Sequence, residues 1–174
     1  MKPAGPVRGR LNFFKVGFAL LAGAYGLLCA LSPSTHRFLD GVDLVFHEAG
    51  HVFFAVLGEF IGVLGGSLMQ VLVPAVAAGA LLSQRQPYSA CVVLIWLGQS
   101  LFNVSVYVRD ARQQVLPLLG GEGTIHDWGF LLGRLGLLRW DGVLANVVYL
   151  LGLAAILAGI LGGLYFSREA DADA

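Results

Sequence analysis

Five stretches of this chain run for nearly the length of a bilayer-crossing helix with almost no charge, and this limits the fold more than any other feature. They cover 16–31, 38–57, 61–82, 88–108 and 143–166. A helix needs about 20 apolar residues to cross a ~30 Å hydrocarbon layer. Lipid offers the backbone no hydrogen-bond partners, so such segments must be helical. Of the 174 residues, 57% are hydrophobic and 13% charged, against about 25% charged in soluble domains. The expected fold is an all-α polytopic membrane bundle of about five spans, forming a single domain over 1–174. The longer connection, 109–142, contains "GFLLGRLGLLRW", which has the look of a short interfacial or re-entrant helix.

The basic residues suggest an orientation. If the N-terminus is cytoplasmic, a five-span chain puts Lys2, Arg8, Arg10, Lys15, Arg109, Arg112, Arg134 and Arg139 inside. Only Arg37, Arg85 and Arg168 then lie outside, with the C-terminus. The expected location is therefore an integral membrane protein with its N-terminus in the cytoplasm and its C-terminus outside. The first run, 16–31, also fits the apolar core of a cleaved signal peptide, although such cores usually hold about 7–15 residues. Cys29 and Cys91 lie in apolar runs and form no CxxC, so they read as small apolar side chains rather than metal ligands. The formal net charge is zero, and no basic stripe interleaves with aromatics, which excludes nucleic acid as a partner. Ser67 and Ser100 have no base at a readable spacing, so no serine hydrolase is indicated.

One apolar run breaks its own pattern. "LVFHEAGHVFFAVLG", residues 44–58, carries two histidines and a glutamate where lipid favours leucine. Ionised groups at mid-bilayer cost about 2.5–3.5 kcal/mol and tend to mark a functional site. Residues four apart share a helix face, so His47 and His51 can aim at one point while Glu48 borders it. Two neutral imidazoles with an adjacent carboxylate suit a zinc ion and a general base. The alternative is a non-enzymatic membrane subunit, in which HEAGH holds a structural metal or packs helices through polar contacts worth about 0.6–2 kcal/mol each.

HEAGH in a membrane helix of a small multi-pass protein resembles the site-2-protease type of intramembrane zinc metallopeptidase. That resemblance implies His47 and His51 as zinc ligands, Glu48 as the general base, and a third ligand from an aspartate in a later helix. It also implies a membrane-protein substrate and a location such as the bacterial inner (plasma) membrane. The family's usual setting for that aspartate is a stretch like N-x-x-P followed by L-D-G. Here "LFNVSVYVRDAR" supplies Asn103 and Asp110 but neither the proline nor the glycine.

The residues themselves leave the third ligand open among Asp110, His126 and Asp127. Asp110 fits the family pattern, yet it lies past the apolar part of its run while HEAGH lies near the middle of its own. At 1.5 Å per residue the two could differ in depth by ~15 Å. His126 and Asp127, in "TIHDW", could fold back behind a glycine-rich loop; otherwise Asp127 would cap a helix and leave His126 exposed. Asp43, one turn before His47, could orient it as a supporting carboxylate. Gln99 and Asn103 form a polar stripe suited to a substrate backbone or to packing. "GVLGGS" could offer a strand-like edge. Ala155, Gly159 and Gly163 form a small-residue ridge for helix packing, and Trp96, Trp128 and Trp140 suit membrane interfaces.

Overall fold

In the computed structural model, which describes residues 9–118 and 124–170, nearly all regular structure is helical. A short strand β1 (Gly9–Leu11) leads into α1 (Phe13–Leu31), capped by the Asn12 side chain, which accepts from the Lys15 amide at 3.0 Å. HEAGH lies in α2 (Phe38–Phe54), which a turn of 3-10 helix joins to α3 (Glu59–Ser83). Then come α4 (Pro87–Arg109), the short α5 (Asp127–Arg134) and α6 (Asp141–Tyr165), and β2 (Arg168–Ala170) ends the described chain. Each apolar run thus forms a helix.

Four of these helices are long and apolar enough to cross a membrane: α1, α3, α4, and α6 with its preceding turn. Their outer faces carry exposed Phe14, Leu21, Val76, Leu150 and Leu161, the distribution expected of helices solvated by lipid rather than water. Inside, Cys29, Ala30, Ile95, Phe102 and Ile156 form one apolar core. Val104, Val108, Ala111, Leu132 and Ala145 form a second. The expected small-residue ridge on α6 is used for packing: Gly159 lies against the Cys91 carbonyl and Gly163 against Ala19. Cys29 and Cys91 are both buried and free.

The fifth expected span, α2, is not among these four, and the positions of the helix ends bear on why. The Tyr88 hydroxyl donates to the Lys15 carbonyl at 2.7 Å, and the Asn12 amide to the Ser167 carbonyl at 2.9 Å. The starts of α1 and α4 and the end of α6 therefore share one end of the bundle. The end of α3 joins them through the short turn at 84–86. Because α3 has 25 residues, or about 37 Å at 1.5 Å per residue, its start lies at the opposite end. The end of α1 lies there too. The chain therefore enters and leaves α2 from the same end of the bundle, and the first turn of α2 lies beside the middle of α1 and α4, where Leu39 and Asp40 meet Tyr25, Gln99 and Asn103.

The strands bear on the orientation in the same way. β1 pairs antiparallel with β2, Gly9 opposite Ala170 and Leu11 opposite Arg168, so both ends of the described chain lie together. Among the described basic residues, Arg10, Lys15, Arg85 and Arg168 fall at this end, and Arg37, Arg109, Arg112, Arg134 and Arg139 at the other. The charge asymmetry that favoured one orientation disappears once α2 is not a span.

Close backbone contact seats α2 on α3. A Cβ on Gly50 would collide with the Gly65 carbonyl, and one on Gly65 would lie 2.6 Å from the Gly50 carbonyl oxygen. "GVLGGS" is helical, within α3, so its glycines serve this contact and offer no strand edge.

Candidate metal centre

Three ligand-type atoms converge where α2, α3 and α5 meet. His47 Nε2 lies 3.0 Å and His51 Nε2 3.2 Å from the same Asp127 carboxylate oxygen. His47 and Asp127 are buried, and His51 is partly so. These three residues could hold a metal ion, each offering one ligand atom.

The opposite side of each imidazole fixes which nitrogen carries the proton. His51 Nδ1 lies 3.0 Å from the Gly62 carbonyl oxygen. A carbonyl can only accept, so Nδ1 carries hydrogen. His47 Nδ1 lies 2.9 Å from Gln70 Oε1. The Gln70 amide nitrogen donates to the Ser100 carbonyl at 3.4 Å and to Asn103 Oδ1 at 3.1 Å, which turns its oxygen toward His47. Both histidines therefore point Nε2 into the shared space, and the opposite nitrogen is held as metal-binding histidines usually are. Without a metal, burial would raise the Asp127 carboxyl, but hydrogen bonds from His47 and His51 outweigh it and hold it below the ordinary value. The bond to Asp127 raises His51 to about 8, partly opposed by burial.

Gly66 makes room for this arrangement. A Cβ at that position of α3 would lie 2.6 Å from both His47 Nε2 and His51 Nε2. Any other residue would fill the space between the imidazoles.

Asp110 is not in the cluster. Its carboxylate accepts from the Val115 and Leu116 amides at 3.1 and 3.0 Å and from His126 Nε2 at 3.1 Å. His126, in turn, is buried, and its Nδ1 accepts from the Gly129 amide at 3.1 Å, capping α5. The two neighbours take separate roles: His126, rather than Asp127, caps α5, and Asp127, one of the three candidates for the third ligand, reaches the histidines. Satisfying four orphan amides at a helix start favours an acceptor one residue before the helix, and His126 Nδ1 supplies it. The Asp127 amide donates to the Tyr107 hydroxyl at 3.1 Å, and Trp128 Nε1 donates to Ser67 Oγ at 3.0 Å. Asp110, His126, Tyr107 and Ser67 together pin the start of α5 against α3 and α4.

Asp43 does not support His47; one of its oxygens accepts from Trp96 Nε1 at 2.9 Å and Ser100 Oγ at 2.8 Å. Trp96 and Trp128 are therefore held by internal hydrogen bonds. Gln99 donates to Asp40 at 2.7 Å, a packing contact. Glu59 pairs with Arg134 at 3.1 Å on the exposed surface. Gln70 and Tyr107 were not singled out from the sequence, although a lone glutamine in the apolar run of α3 is the kind of intramembrane polar residue that marks a site.

Glu48 is exposed, and its carboxylate takes no hydrogen bond from the described residues. It lines a cavity of about 390 Å³ with His47, Tyr107 and Asn103. Ser34–His36 and Leu116–Leu118 also line it. No protein-family model, curated protein or solved structure matches the chain.

Proposed function

We propose that the protein is an integral membrane zinc metallopeptidase, hydrolysing peptide bonds of membrane-embedded or juxtamembrane substrates. His47, His51 and Asp127 are the zinc ligands and Glu48 is the general base. The bacterial inner membrane is the proposed location. The observation that carries this reading is the convergence of two Nε2 atoms on one carboxylate oxygen at 3.0 and 3.2 Å. Tetrahedral zinc with bonds of about 2.0–2.2 Å holds its ligands about 3.4 Å apart, within a few tenths of an ångström of those separations. Two histidines and one carboxylate make a three-ligand set, which leaves one position for water or substrate, as catalytic rather than structural sites do.

When bound, zinc supplies Lewis acidity toward a carbonyl and toward water. The chain's own residues do the rest. Asp127 and the two Nδ1–H contacts keep both imidazoles aimed. Glu48, next to His47 in sequence and facing the cavity, takes a proton from the attacking water and returns it to the leaving amine. A structural metal site has no use for that carboxylate, so Glu48→Gln separates the two roles. The variant should keep its zinc and lose about 10²–10⁴-fold in cleavage rate. The check compares membrane proteomes of wild-type, Glu48→Gln and deletion cells. A full-length membrane protein should accumulate in both mutants, and full rescue of a deletion phenotype by Glu48→Gln would contradict the assignment.

A further inference from the structure

The hydrogen bonds behind His47 continue beyond Gln70 and end on a buried carboxylate. His47 Nδ1–H donates to Gln70 Oε1 at 2.9 Å, Gln70 Nε2 to Asn103 Oδ1 at 3.1 Å, and Asn103 Nδ2 to Asp40 Oδ1 at 3.2 Å. Every donor in this chain points the same way, toward Asp40. A carboxylate is acceptor-only, so it forces the Asn103 amide to present its nitrogen. That turns Asn103 Oδ1 to Gln70 and leaves Gln70 only its oxygen for His47.

We propose that Asp40 is a positioning residue for the metal centre, acting on His47 through the two amides of Asn103 and Gln70. Resting on the zinc reading above, the proposal adds a carboxylate that sets the tautomer of one ligand from two side chains away. Metal-binding histidines usually donate their free N–H directly to a carboxylate or carbonyl, which raises their basicity. Here the interposed amides do this at a distance, because aligned hydrogen bonds polarise one another in a low-dielectric interior. Asp40 is buried, and its environment suits the role: Gln99 Nε2 also donates to Oδ1, at 2.7 Å, and the Arg37 amide to Oδ2, at 2.6 Å. Asp43, one turn along the same helix and fully buried, bonds to Trp96 and Ser100 and lies outside the relay.

The experiment uses the full chain in detergent micelles with ¹⁵N-labelled histidine, metal-free and zinc-loaded, and measures zinc affinity by chelator competition. In the wild type, the His47 Nδ1–H signal should be protected from exchange in both states. Asp40→Asn should move that proton upfield and weaken zinc binding about tenfold to hundredfold. Because Asp40 also receives the Arg37 amide at the start of α2, Asn103→Ala provides a second cut that leaves that contact in place, and it should do the same. Asp43→Asn should change neither readout. An unmoved His47 signal and wild-type zinc affinity in both Asp40→Asn and Asn103→Ala would overturn the relay. A wild type whose protected signal responds to Asp40→Asn but which binds no zinc would leave the relay standing and sink the metallopeptidase reading.

Discussion

Replacing Gly66 with alanine tests the metal centre by filling it. The added methyl would lie 2.6 Å from His47 Nε2 and from His51 Nε2. Ordinary contacts between such atoms begin near 3.4 Å, so each imidazole must retreat by most of an ångström, or α3 must shift away. In the metal-free protein the rings can relieve this by giving up part of their contacts with Gln70, Gly62 and Asp127. A metal would hold both Nε2 atoms at about 2.0–2.1 Å and prevent that movement. Overpacking of this size costs about 1–3 kcal/mol, most of it in the loaded state. At 1.4 kcal/mol per factor of ten, zinc affinity should fall roughly 5- to 150-fold. Chelator competition measures the loss, and the ligand-field spectrum of cobalt-substituted protein reports whether both imidazoles remain bound. Gly79→Ala is the control, because a Cβ there meets nothing within 4 Å on the same helix. A folded Gly66→Ala protein that binds zinc as tightly as the wild type would mean that the ion does not sit between these two nitrogens.

Two further outcomes follow from the fold. Reporters fused before Met1 and after Ala174 should appear on the same side of the membrane, and one inserted at Ser34 on the opposite side; termini on opposite sides would overturn the four-helix crossing. Asp43 should make stability depend on pH. Burial raises its carboxyl to about 6, so its stabilising contribution is full below the ordinary carboxylate range and is lost as pH rises through about 6. About two units above an unfolded value near 3.9 correspond to at most about 3 kcal/mol. Asp43→Asn removes this group and offers a donor beside the unpaired Gln99 Oε1. Its thermal midpoint should exceed that of the wild type at pH 7.5 and change less between pH 5 and 7.5; an equal change in both proteins would refute this.

The helices were legible because apolar length alone specifies them: the run at 88–108 became Pro87–Arg109 and that at 61–82 became Glu59–Ser83. That the chain enters and leaves α2 from one end was not legible, because its run matches the others in length. The difference lies in Asp40 and Asp43, which need buried donors on α4, and in a turn that returns the chain to the end it came from. The two histidines could be read together from their spacing of four. The carboxylate facing them could be named only as one of three candidates, since Asp127 reaches them through tertiary contacts of the start of α5 with Tyr107 and Ser67. Asp110 fitted the pattern that the family resemblance implies, but its oxygens are taken by the Val115 and Leu116 amides and the His126 imidazole.

The central claim, a metal held by His47, His51 and Asp127, is tested most directly by the zinc content and affinity of purified wild-type, His47→Ala, Asp127→Ala and Asp110→Ala proteins. The wild type should hold about one zinc per chain, the number a single three-ligand site supports. His47→Ala and Asp127→Ala should lose it, while Asp110→Ala should bind more weakly, because it loosens the start of α5 without removing a ligand. Wild-type zinc affinity in a folded Asp127→Ala protein, or complete loss in Asp110→Ala alone, would contradict the account.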